Sequence, residues 1–161
     1  MVSLYWIDGP GPGRIGVMPR PEPVEEIAEM RQEGVTTVVS LLESHEIRLY
    51  ELEREPELCA THGIDFLLYP IRDHGVPREL STAVALVKNL SARYGRGESI
   101  IVHCLGGVGR SPTIAGATLI DRGVRLPDVI RRMTESRGYP VPEMPEQYAW
   151  MERYADGIQE P

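Results

Sequence analysis

Residues 99–111 read "SIIVHCLGGVGRS", an apolar run that leads through a cysteine and three glycines to an arginine and a serine. The run at 99–103 predicts a buried strand because it is apolar and rich in β-branched residues. The segment "PTIAGATLI" at 112–120 predicts a helix, and its early proline sacrifices no hydrogen bond there. A strand that passes directly into a helix is typical of a parallel α/β sheet. Such sheets bind ligands at the carboxyl ends of their strands.

The same alternation of strands and helices continues on both sides of this stretch. Two short predicted strands, "LYWI" at 4–7 and "RIGVM" at 14–18, flank the turn "GPGPG" at 9–13. The apolar runs at 35–42 and 64–71 predict two further buried strands. The predicted helices are 23–34, 45–62 with a break at Pro56, 78–95, 112–123, 127–137 and 145–156. We therefore predict an α/β fold with a central, mostly parallel, twisted sheet of about four to five strands and helices on both faces.

Length and composition restrict the classes of function. The 161 residues suit one domain, and we assign residues 1–161 to a single domain. The net charge of −7 argues against general binding to nucleic acid or to anionic membranes. No apolar run approaches the ~20 residues that span a bilayer, and the N-terminus lacks the pattern of a signal peptide. Free thiols at Cys59 and Cys104 suit a reducing compartment, so we expect a cytoplasmic protein, and we expect a monomer.

The loop between the strand and the helix has the composition of an anion-binding site. Its three glycines let the main chain bend and approach a ligand closely. A loop that enters a helix N-terminus points several N–H groups into one concavity, which favours an anion and also a thiolate at Cys104. Arg110 offers a planar, two-pronged donor that matches two phosphate oxygens. Ser111 can donate a hydrogen bond to the sulfur and help it to leave once it has been phosphorylated. A Walker-type loop does not fit, because Gly-Lys-Ser/Thr is missing.

The segment "HCLGGVGRS" resembles the H-C-x5-R-[S/T] signature of the cysteine-dependent protein tyrosine and dual-specificity phosphatases. The segment "GRSPT" at the start of an apolar helix is similar to their small dual-specificity branch. The resemblance implies that Cys104 is the nucleophile, that Arg110 clamps the transition state, and that His103 orients the loop and supports the thiolate. It also implies no cofactor and no metal ion. The phosphate-binding amides would come from Leu105, Gly106, Gly107, Val108 and Gly109.

The resemblance further implies a general acid, an aspartate on a loop some thirty residues before the cysteine, which protonates the leaving oxygen. "YPIRDHGVP" follows a predicted buried strand, and Asp73 stands thirty-one positions before Cys104 (104 − 73 = 31). We assign Asp73 as the acid, and then as the base for the water that hydrolyses the phosphocysteine. Asp65 is the alternative, although it lies near the start of the predicted strand. His74 is predicted at the rim of the site, where it can touch the substrate.

Several other residues have competing interpretations. "RGYPVPEMPEQYAWM" resembles the family loop that ends in a water-positioning glutamine, which makes Gln147 the candidate; its extra prolines leave plain helix surface as the alternative. Cys59 is predicted as a core thiol in a helix, and a regulatory disulfide between the two cysteines is not favoured. His45 and His62 lack the company of other metal-ligand residues. The segment "ELEREPE" at 51–57 is predicted as a solvated face.

The sequence thus predicts a metal-independent phosphomonoesterase that acts on phosphotyrosine in proteins through a phosphocysteine intermediate, with phosphoserine and phosphothreonine as further substrates to test. The expected partner is a phosphorylated protein or peptide, and no nucleic acid or membrane. Two alternatives remain: the same chemistry on a phospholipid, RNA or small-molecule ester, and a non-catalytic phosphate-binding module. The uncharged "LGGVG" weighs against polyphosphorylated lipids, because inositide-directed relatives often place Lys there. The presence of Cys104, Arg110 and Asp73 weighs against an inactive module.

Overall fold

A five-stranded sheet lies at the centre of the computed structural model, which describes residues 1–158. The strands are β1 (Tyr5–Ile7), β2 (Arg14–Met18), β3 (Thr37–Ser40), β4 (Asp65–Leu68) and β5 (Ser99–His103). Their order is β1-β2-β5-β3-β4, with β1 antiparallel to β2 and the other pairs parallel. His103, the last residue of β5, is level with Met18 of β2 and Ser40 of β3. The carboxyl ends of these three parallel strands therefore lie side by side at one end of the sheet.

Helices cover both faces of this sheet. They are α1 (Pro23–Gln32), α2 (Ser44–Leu49), α3 (Glu55–Thr61), α4 (Leu80–Gly95), α5 (Arg110–Asp121), α6 (Leu126–Arg137) and α7 (Pro145–Arg153), followed by a π-helical turn at Tyr154–Ile158. Val38 and Ile101 pack in the apolar cluster that holds residues of α1 and α3. Their neighbours Val39 and Val102 pack in the cluster that holds residues of α4, α5 and α7. Consecutive strand residues thus serve opposite faces, as the period of two in a strand requires.

The predicted fold class is confirmed: the structure is an α/β domain with a mostly parallel sheet and helices on both faces. The turn at 9–13 does connect two short strands, and β5 has the predicted bounds. Within residues 1–158, no helix combines the length and the apolar character that crossing a membrane requires. The last three residues of the predicted domain, 159–161, lie outside the described part of the chain.

Two details of the predicted fold are wrong. The run 64–71 was expected to be a fully buried strand, but β4 is an edge strand in which Asp65 and Leu68 are exposed and Phe66 is only half-buried. An apolar run does not distinguish the centre of a sheet from its edge. The helical region 45–62 breaks at residues 50–54, not at Pro56, which lies in the first turn of α3. A proline in that turn replaces an N–H that has no helical partner, so it begins the helix.

Candidate active site

Residues 104–109 form a tight loop between the carboxyl end of β5 and the N-terminus of α5. Gly107 has a φ of +73°, in the left-handed region that glycine adopts without strain. A Cβ on Gly107 would lie 2.8 Å from the main-chain carbon of Met18, so the loop packs directly on the end of β2. A Cβ on Gly109 would lie 2.9 Å from the side-chain nitrogen of Gln147. Close approach therefore accounts for two of the three glycines.

Five consecutive main-chain oxygens of this loop, those of residues 105–109, are held by donors from outside it. The Arg20 N–H donates to the oxygen of residue 105 at 3.0 Å, and the Glu143 N–H donates to that of residue 108 at 2.9 Å. Arg137 donates to the oxygen of residue 106 from Nη2 at 3.3 Å and to that of residue 107 from Nε at 3.1 Å. The N–H and the hydroxyl of Thr113 donate to the oxygen of residue 109 at 3.2 and 2.8 Å. The N–H and C=O of a trans peptide unit point in opposite directions. The N–H groups of residues 106–110 are therefore turned towards the inside of the loop, as in an anion-binding nest.

Cys104 is the first residue of the loop and lies at its base. It is 2% exposed, and its Sγ is 3.2 Å from Oγ of Ser111 in the first turn of α5. The Ser111 side chain is itself fully buried, so its hydroxyl has a fixed relation to the sulfur. The structure thus brings together the thiol and the hydroxyl that the sequence pairs. An anion held by the inward N–H groups would lie next to this sulfur.

Arg110 ends the loop, and its guanidinium is almost completely buried. Nη1 and Nη2 donate to the two carboxylate oxygens of Glu46 at 2.8 and 2.9 Å, and Nη1 also donates to the Ile71 carbonyl at 2.8 Å. Burial alone would raise the pKa of Glu46. The hydrogen bonds from Arg110 and from the Glu43 N–H, together with the Arg110 charge, outweigh burial, so the pKa of Glu46 lies below its ordinary value.

The same ion pair keeps Arg110 charged. Burial alone would lower its pKa, but the hydrogen bond to Glu46 and the negative charges of Cys104, Glu46 and Asp73 raise it. A permanently charged and immobile guanidinium at the end of an anion-binding loop is suited to two oxygens of a phosphate group.

Asp73 lies on the segment between β4 and α4, at the carboxyl end of the parallel strands, where the cysteine loop also lies. Its Oδ1 is 3.2 Å from Arg110 Nη2 and accepts a hydrogen bond from the His74 N–H at 3.0 Å. The side chain is 44% exposed, so it can move towards a bound substrate. Asp65, the alternative acid, is the first residue of β4 and pairs with Arg93 at 2.8 Å. Asp65 therefore lies at the opposite end of the strand from the loop.

His103 is fully buried directly before the cysteine. Its Nε2 lies 2.6 Å from Oε2 of Glu55, which is also buried, in the first turn of α3. Within residues 1–158, Nδ1 of His103 has no hydrogen-bond partner. The expectation that 51–57 is a solvated face is therefore wrong at Glu55, because the helix places that carboxylate on its inner side.

Gln147 is completely buried in the first turn of α7 and is not plain helix surface. Its Nε2 donates to the Gly75 carbonyl at 3.2 Å, and its Oε1 accepts from the Met144 N–H at 3.1 Å. Together with its close approach to Gly109, these contacts put Gln147 between the cysteine loop and the segment that carries Asp73. The structure thus places Gln147 beside the loop, and its role in positioning water stays a prediction.

A family model described as "Swiss Army Knife protein, DSP-PTPase phosphatase domain" matches residues 3–147. The chain belongs to this family. The prediction of a cysteine-dependent tyrosine or dual-specificity phosphatase, and of a phosphoric monoester hydrolase, is thereby confirmed.

Known proteins resemble this DSP-PTPase domain in sequence or in fold. Protein tyrosine phosphatase type IVA 3 of Mus musculus is 25% identical over 130 residues, which are 80% of this chain and 69% of that protein. The crystal structure of Tk-PTP in the active form has a TM-score of 0.79 and 26% identity, covering 96% of this chain and 97% of that one. The kinase associated phosphatase, solved with serine in place of its catalytic-site cysteine, has a TM-score of 0.86 at 17% identity, covering 99% of this chain and 97% of that one.

Two of the predicted residues are less closely tied to the loop of the DSP-PTPase domain. His74 has a φ of +64°, and its exposed ring lies 3.8 Å from the Glu143 carboxylate. The ring is therefore on the surface, and its contact with substrate stays a prediction. Cys59 is a fully buried thiol of α3, and burial together with the charge of Glu55 raises its pKa to about 12. Cys59 and Cys104 belong to apolar clusters on opposite faces of the sheet, and both are free thiols.

The interpretation of His45 needs a correction. Its ring and the carboxylates of Glu43 and Glu46 offer oxygen and nitrogen atoms within 4.8 Å of one another. His45 therefore does have acidic neighbours of the kind that ligate metals. Glu46, however, already holds Arg110 with both oxygens. The cluster therefore supplies no argument for a metal-dependent reaction.

Three residues that contact the site were not found from the sequence: Glu46, Glu55 and Arg137. Each comes from an element remote in sequence from the loop and reaches it by tertiary packing. The signal for such a contact would have been a charged residue on the side of a helix that faces the core. α2 and α3 are too short for such a pattern to stand out.

Proposed function

We propose that this DSP-PTPase domain is a metal-independent phosphomonoesterase that removes phosphate from phosphotyrosine in proteins through a phosphocysteine intermediate. The observation that carries the proposal is the inward orientation of the loop N–H groups between a buried Cys104 and a buried, charged Arg110. This arrangement supplies a nucleophile and a preorganised positive field around a single tetrahedral anion.

In the first step, the Cys104 thiolate attacks the phosphorus of the ester. The bond between phosphorus and the leaving oxygen breaks, and Asp73 gives its proton to that oxygen. The loop N–H groups and Arg110 hold the three other phosphate oxygens as charge builds up on them. Arg110 Nη2 is shared with Asp73 before substrate binds, so the incoming phosphate competes with the carboxylate for this donor.

In the second step, water attacks the phosphorus of the phosphocysteine. Asp73, now a carboxylate, takes a proton from the water, and the sulfur–phosphorus bond breaks. The Ser111 hydroxyl, 3.2 Å from Sγ, donates a hydrogen bond to the departing thiolate and so lowers the barrier to its release. Inorganic phosphate leaves, and the thiolate is restored.

Two buried residues are proposed to position these groups. Gln147 contacts both the loop and the segment of Asp73, so its amide group is suited to orient the attacking water. His103 is fixed by Glu55, which holds the residue before the nucleophile in one orientation. His74, at the rim, is proposed to contact the part of the substrate that surrounds the phosphate.

Protein phosphotyrosine is the favoured substrate class for two reasons. The relative from Mus musculus is named as a protein tyrosine phosphatase. Cys104 and Arg110 are each 2% exposed, and an extended aryl phosphate is better suited to such buried reacting groups than a short alkyl phosphate. The segment 105–109 carries no lysine for additional phosphates, which argues against a polyphosphorylated lipid.

The setting of this activity is proposed on more general grounds. Both cysteines are free thiols, which fits a reducing cytoplasm. The net charge of −7 disfavours nucleic acid and anionic membranes as partners. We infer a monomer in which residues 1–161 act as one catalytic domain.

The proposal is tested with a chromogenic aryl phosphate and with a matched panel of substrates, each assayed with and without a chelator. The panel contains phosphotyrosine, phosphoserine and phosphothreonine peptides, a phosphoinositide, and a 5′-phosphorylated RNA. We expect turnover that a chelator leaves unchanged and the highest kcat/KM on phosphotyrosine peptides. A complete lack of turnover would identify a binding module. A higher kcat/KM on the lipid or RNA than on the phosphotyrosine peptides would identify that ester as the substrate of the same reaction.

A further inference from the structure

Arg137, the last residue of α6, reaches across to the outside of the cysteine loop. Its Nε donates to the Gly107 carbonyl at 3.1 Å, and its Nη2 donates to the Gly106 carbonyl at 3.3 Å. The guanidinium lies over the Tyr5 ring of β1, 4.0 Å from its centre, and Nη2 also donates to the Tyr139 hydroxyl at 2.6 Å. One half-buried side chain thus joins the loop to β1 and to the segment after α6.

These two contacts determine the direction of two neighbouring peptide units. Each unit is trans, so an oxygen that points to Arg137 requires the N–H of the next residue to point the other way. The units that Arg137 holds are those whose N–H groups belong to Gly107 and Val108. Rotation of either unit would replace an inward N–H donor by a carbonyl oxygen, which repels a phosphate.

Arg137 differs from the other supports of the loop. The oxygens of Leu105 and Val108 are held by main-chain N–H groups, which no side-chain substitution removes. The two oxygens held by Arg137 belong to consecutive glycines, the residues with the least resistance to rotation of the main chain. At this most pliable part of the loop, orientation depends on a side chain.

We propose that Arg137 is a positioning residue for phosphate binding, which acts by fixing the inward orientation of the Gly107 and Val108 N–H groups. The inference rests on the proposed function of the loop and adds a residue from α6 to its machinery. Tyr5 acts one step further away, because the Arg137 guanidinium lies against its ring, 4.0 Å from the ring centre, and this contact restricts the movement of the guanidinium. The antiparallel strand β1 thereby contributes to the site without touching it.

A purely structural role for Arg137 makes a different prediction. A cation in the last turn of a helix stabilises that helix through its dipole. In that case, substitution would lower the free energy of unfolding but leave the phosphate affinity of the folded protein unchanged. If only the positive charge of Arg137 mattered, Arg137→Lys would retain its effect. Lysine lacks the planar guanidinium, so it cannot donate to both carbonyls in the same way.

The test compares Arg137→Gln, Arg137→Lys and Tyr5→Ala in the full chain. Arg131→Gln is the matched control, since Arg131 is on the same helix, 56% exposed, and pairs with Asp128 and Glu135. The Kd for inorganic phosphate is measured by calorimetry in a Cys104→Ser background, and kcat/KM is measured in the parent background. Thermal unfolding is followed for every variant.

We expect Arg137→Gln to weaken phosphate binding and to lower kcat/KM by about tenfold to a hundredfold, since charge-assisted hydrogen bonds of ~1.5–3 kcal/mol are lost. The loss should be equal for good and poor leaving groups. Arg137→Lys and Tyr5→Ala should show smaller losses, and Arg131→Gln should remain within about twofold of the parent.

A folded Arg137→Gln protein that binds phosphate as tightly as the parent would overturn the inference. If Arg137→Gln does not fold, the inference is overturned when both Arg137→Lys and Tyr5→Ala bind phosphate as tightly as the parent. Binding of phosphate does not require turnover. Failure of the unsubstituted chain to hydrolyse any ester would therefore contradict the proposed function, while the phosphate affinities would still decide the role of Arg137.

Discussion

Arg110 and Glu46 form a two-pronged ion pair that is almost completely buried, with distances of 2.8 Å from Nη1 to Oε1 and 2.9 Å from Nη2 to Oε2. Glu46 comes from α2, 64 residues before Arg110 in the chain. The pair fixes the plane of the guanidinium before any substrate arrives. Catalysis of phosphate transfer depends on such preorganised charge, because no reorganisation is then needed in the transition state.

Substitution Glu46→Gln should impair both stability and catalysis. Glutamine has the shape of glutamate but lacks its charge, so Arg110 becomes a buried cation without a full partner. We expect a loss of about 3 kcal/mol in the free energy of unfolding, at the lower end for a broken buried pair, and a fall of about tenfold or more in kcat/KM. Urea unfolding and steady-state kinetics measure the two effects. The exposed Glu57→Gln is the control, and a Glu46→Gln protein that resembles this control in both assays would contradict the account.

Substitution Arg110→Lys should reduce kcat far more than it changes KM. Lysine keeps the positive charge but offers no planar fork, so it cannot bind two phosphate oxygens and Glu46 at once. We expect kcat to fall by on the order of 10²–10³-fold, as for the loss of other donors to a developing oxyanion. Steady-state kinetics with the chromogenic ester provide the measurement. Retention of most of kcat would mean that the guanidinium does not hold the transition state.

Substitution Asp73→Asn should remove the basic limb of the pH profile. The parent needs a thiolate and a protonated Asp73 together, so its kcat/KM is expected to be bell-shaped with pH. Without the acid, turnover of an alkyl phosphate should fall by about 10²–10⁴-fold, while a nitrophenyl phosphate should suffer less because its leaving group needs less protonation. Asp73→Asn should also bind inorganic phosphate more tightly, since Arg110 Nη2 no longer pairs with a carboxylate.

The matched control for this prediction is Asp65→Asn, at the other end of β4. It should leave the pH profile unchanged. An unchanged basic limb in Asp73→Asn, with equal losses for all leaving groups, would place the acid elsewhere. A lost basic limb in Asp65→Asn would identify Asp65 as that acid.

Asp121 should make folding stability depend on pH in the acid range. Burial alone would raise its pKa, but hydrogen bonds from Lys88, Ser91 and Tyr154 outweigh this effect and lower the pKa below its ordinary value of 3.8. Asp121 therefore binds a proton more readily in the unfolded chain than in the folded protein. Its contribution to the free energy of unfolding is complete above pH 3.8 and is lost as the pH falls through the lower pKa of the folded state.

Urea unfolding at a series of pH values tests this prediction. The free energy of unfolding should decrease as the pH falls below about 4, and Asp121→Asn should show a shallower decrease. The exposed pair of Asp128 and Arg131 provides the control, as Asp128→Asn should keep the parental slope. An identical slope in Asp121→Asn and the parent would show that this carboxylate is not stabilised in its charged form.

Much of the site could be predicted because its residues are local in sequence. The cysteine, the inward amides and the arginine all lie on one strand–loop–helix connection, where spacing alone fixes their proximity. The assignment of Asp73 comes from the resemblance to the phosphatase family, and the parallel sheet accounts for its proximity, because the carboxyl ends of parallel strands lie together. The sequence leaves two interpretations of Gln147 open, because its position depends on how the proline-rich segment before α7 packs.

The remainder could not be predicted because it depends on tertiary contacts that leave no local pattern. Glu46 and Glu55 lie in surface-like acidic sequence, and only the packing of two short helices buries them. The edge position of β4 follows from strand order, which the apolar content of the run does not encode. Pro56 shows a different limit, because a proline can either interrupt a helix or start one.

The central claim is that Cys104 carries the phosphoryl group between the two half-reactions. Mass spectrometry of acid-quenched protein, taken within the first turnover of a nitrophenyl phosphate, tests it most directly. We predict the mass increment of one phosphoryl group on the peptide that contains Cys104, and neither adduct nor turnover in a folded Cys104→Ser protein. Turnover of the ester by Cys104→Ser, or a phosphoryl group on any other residue, would contradict the account.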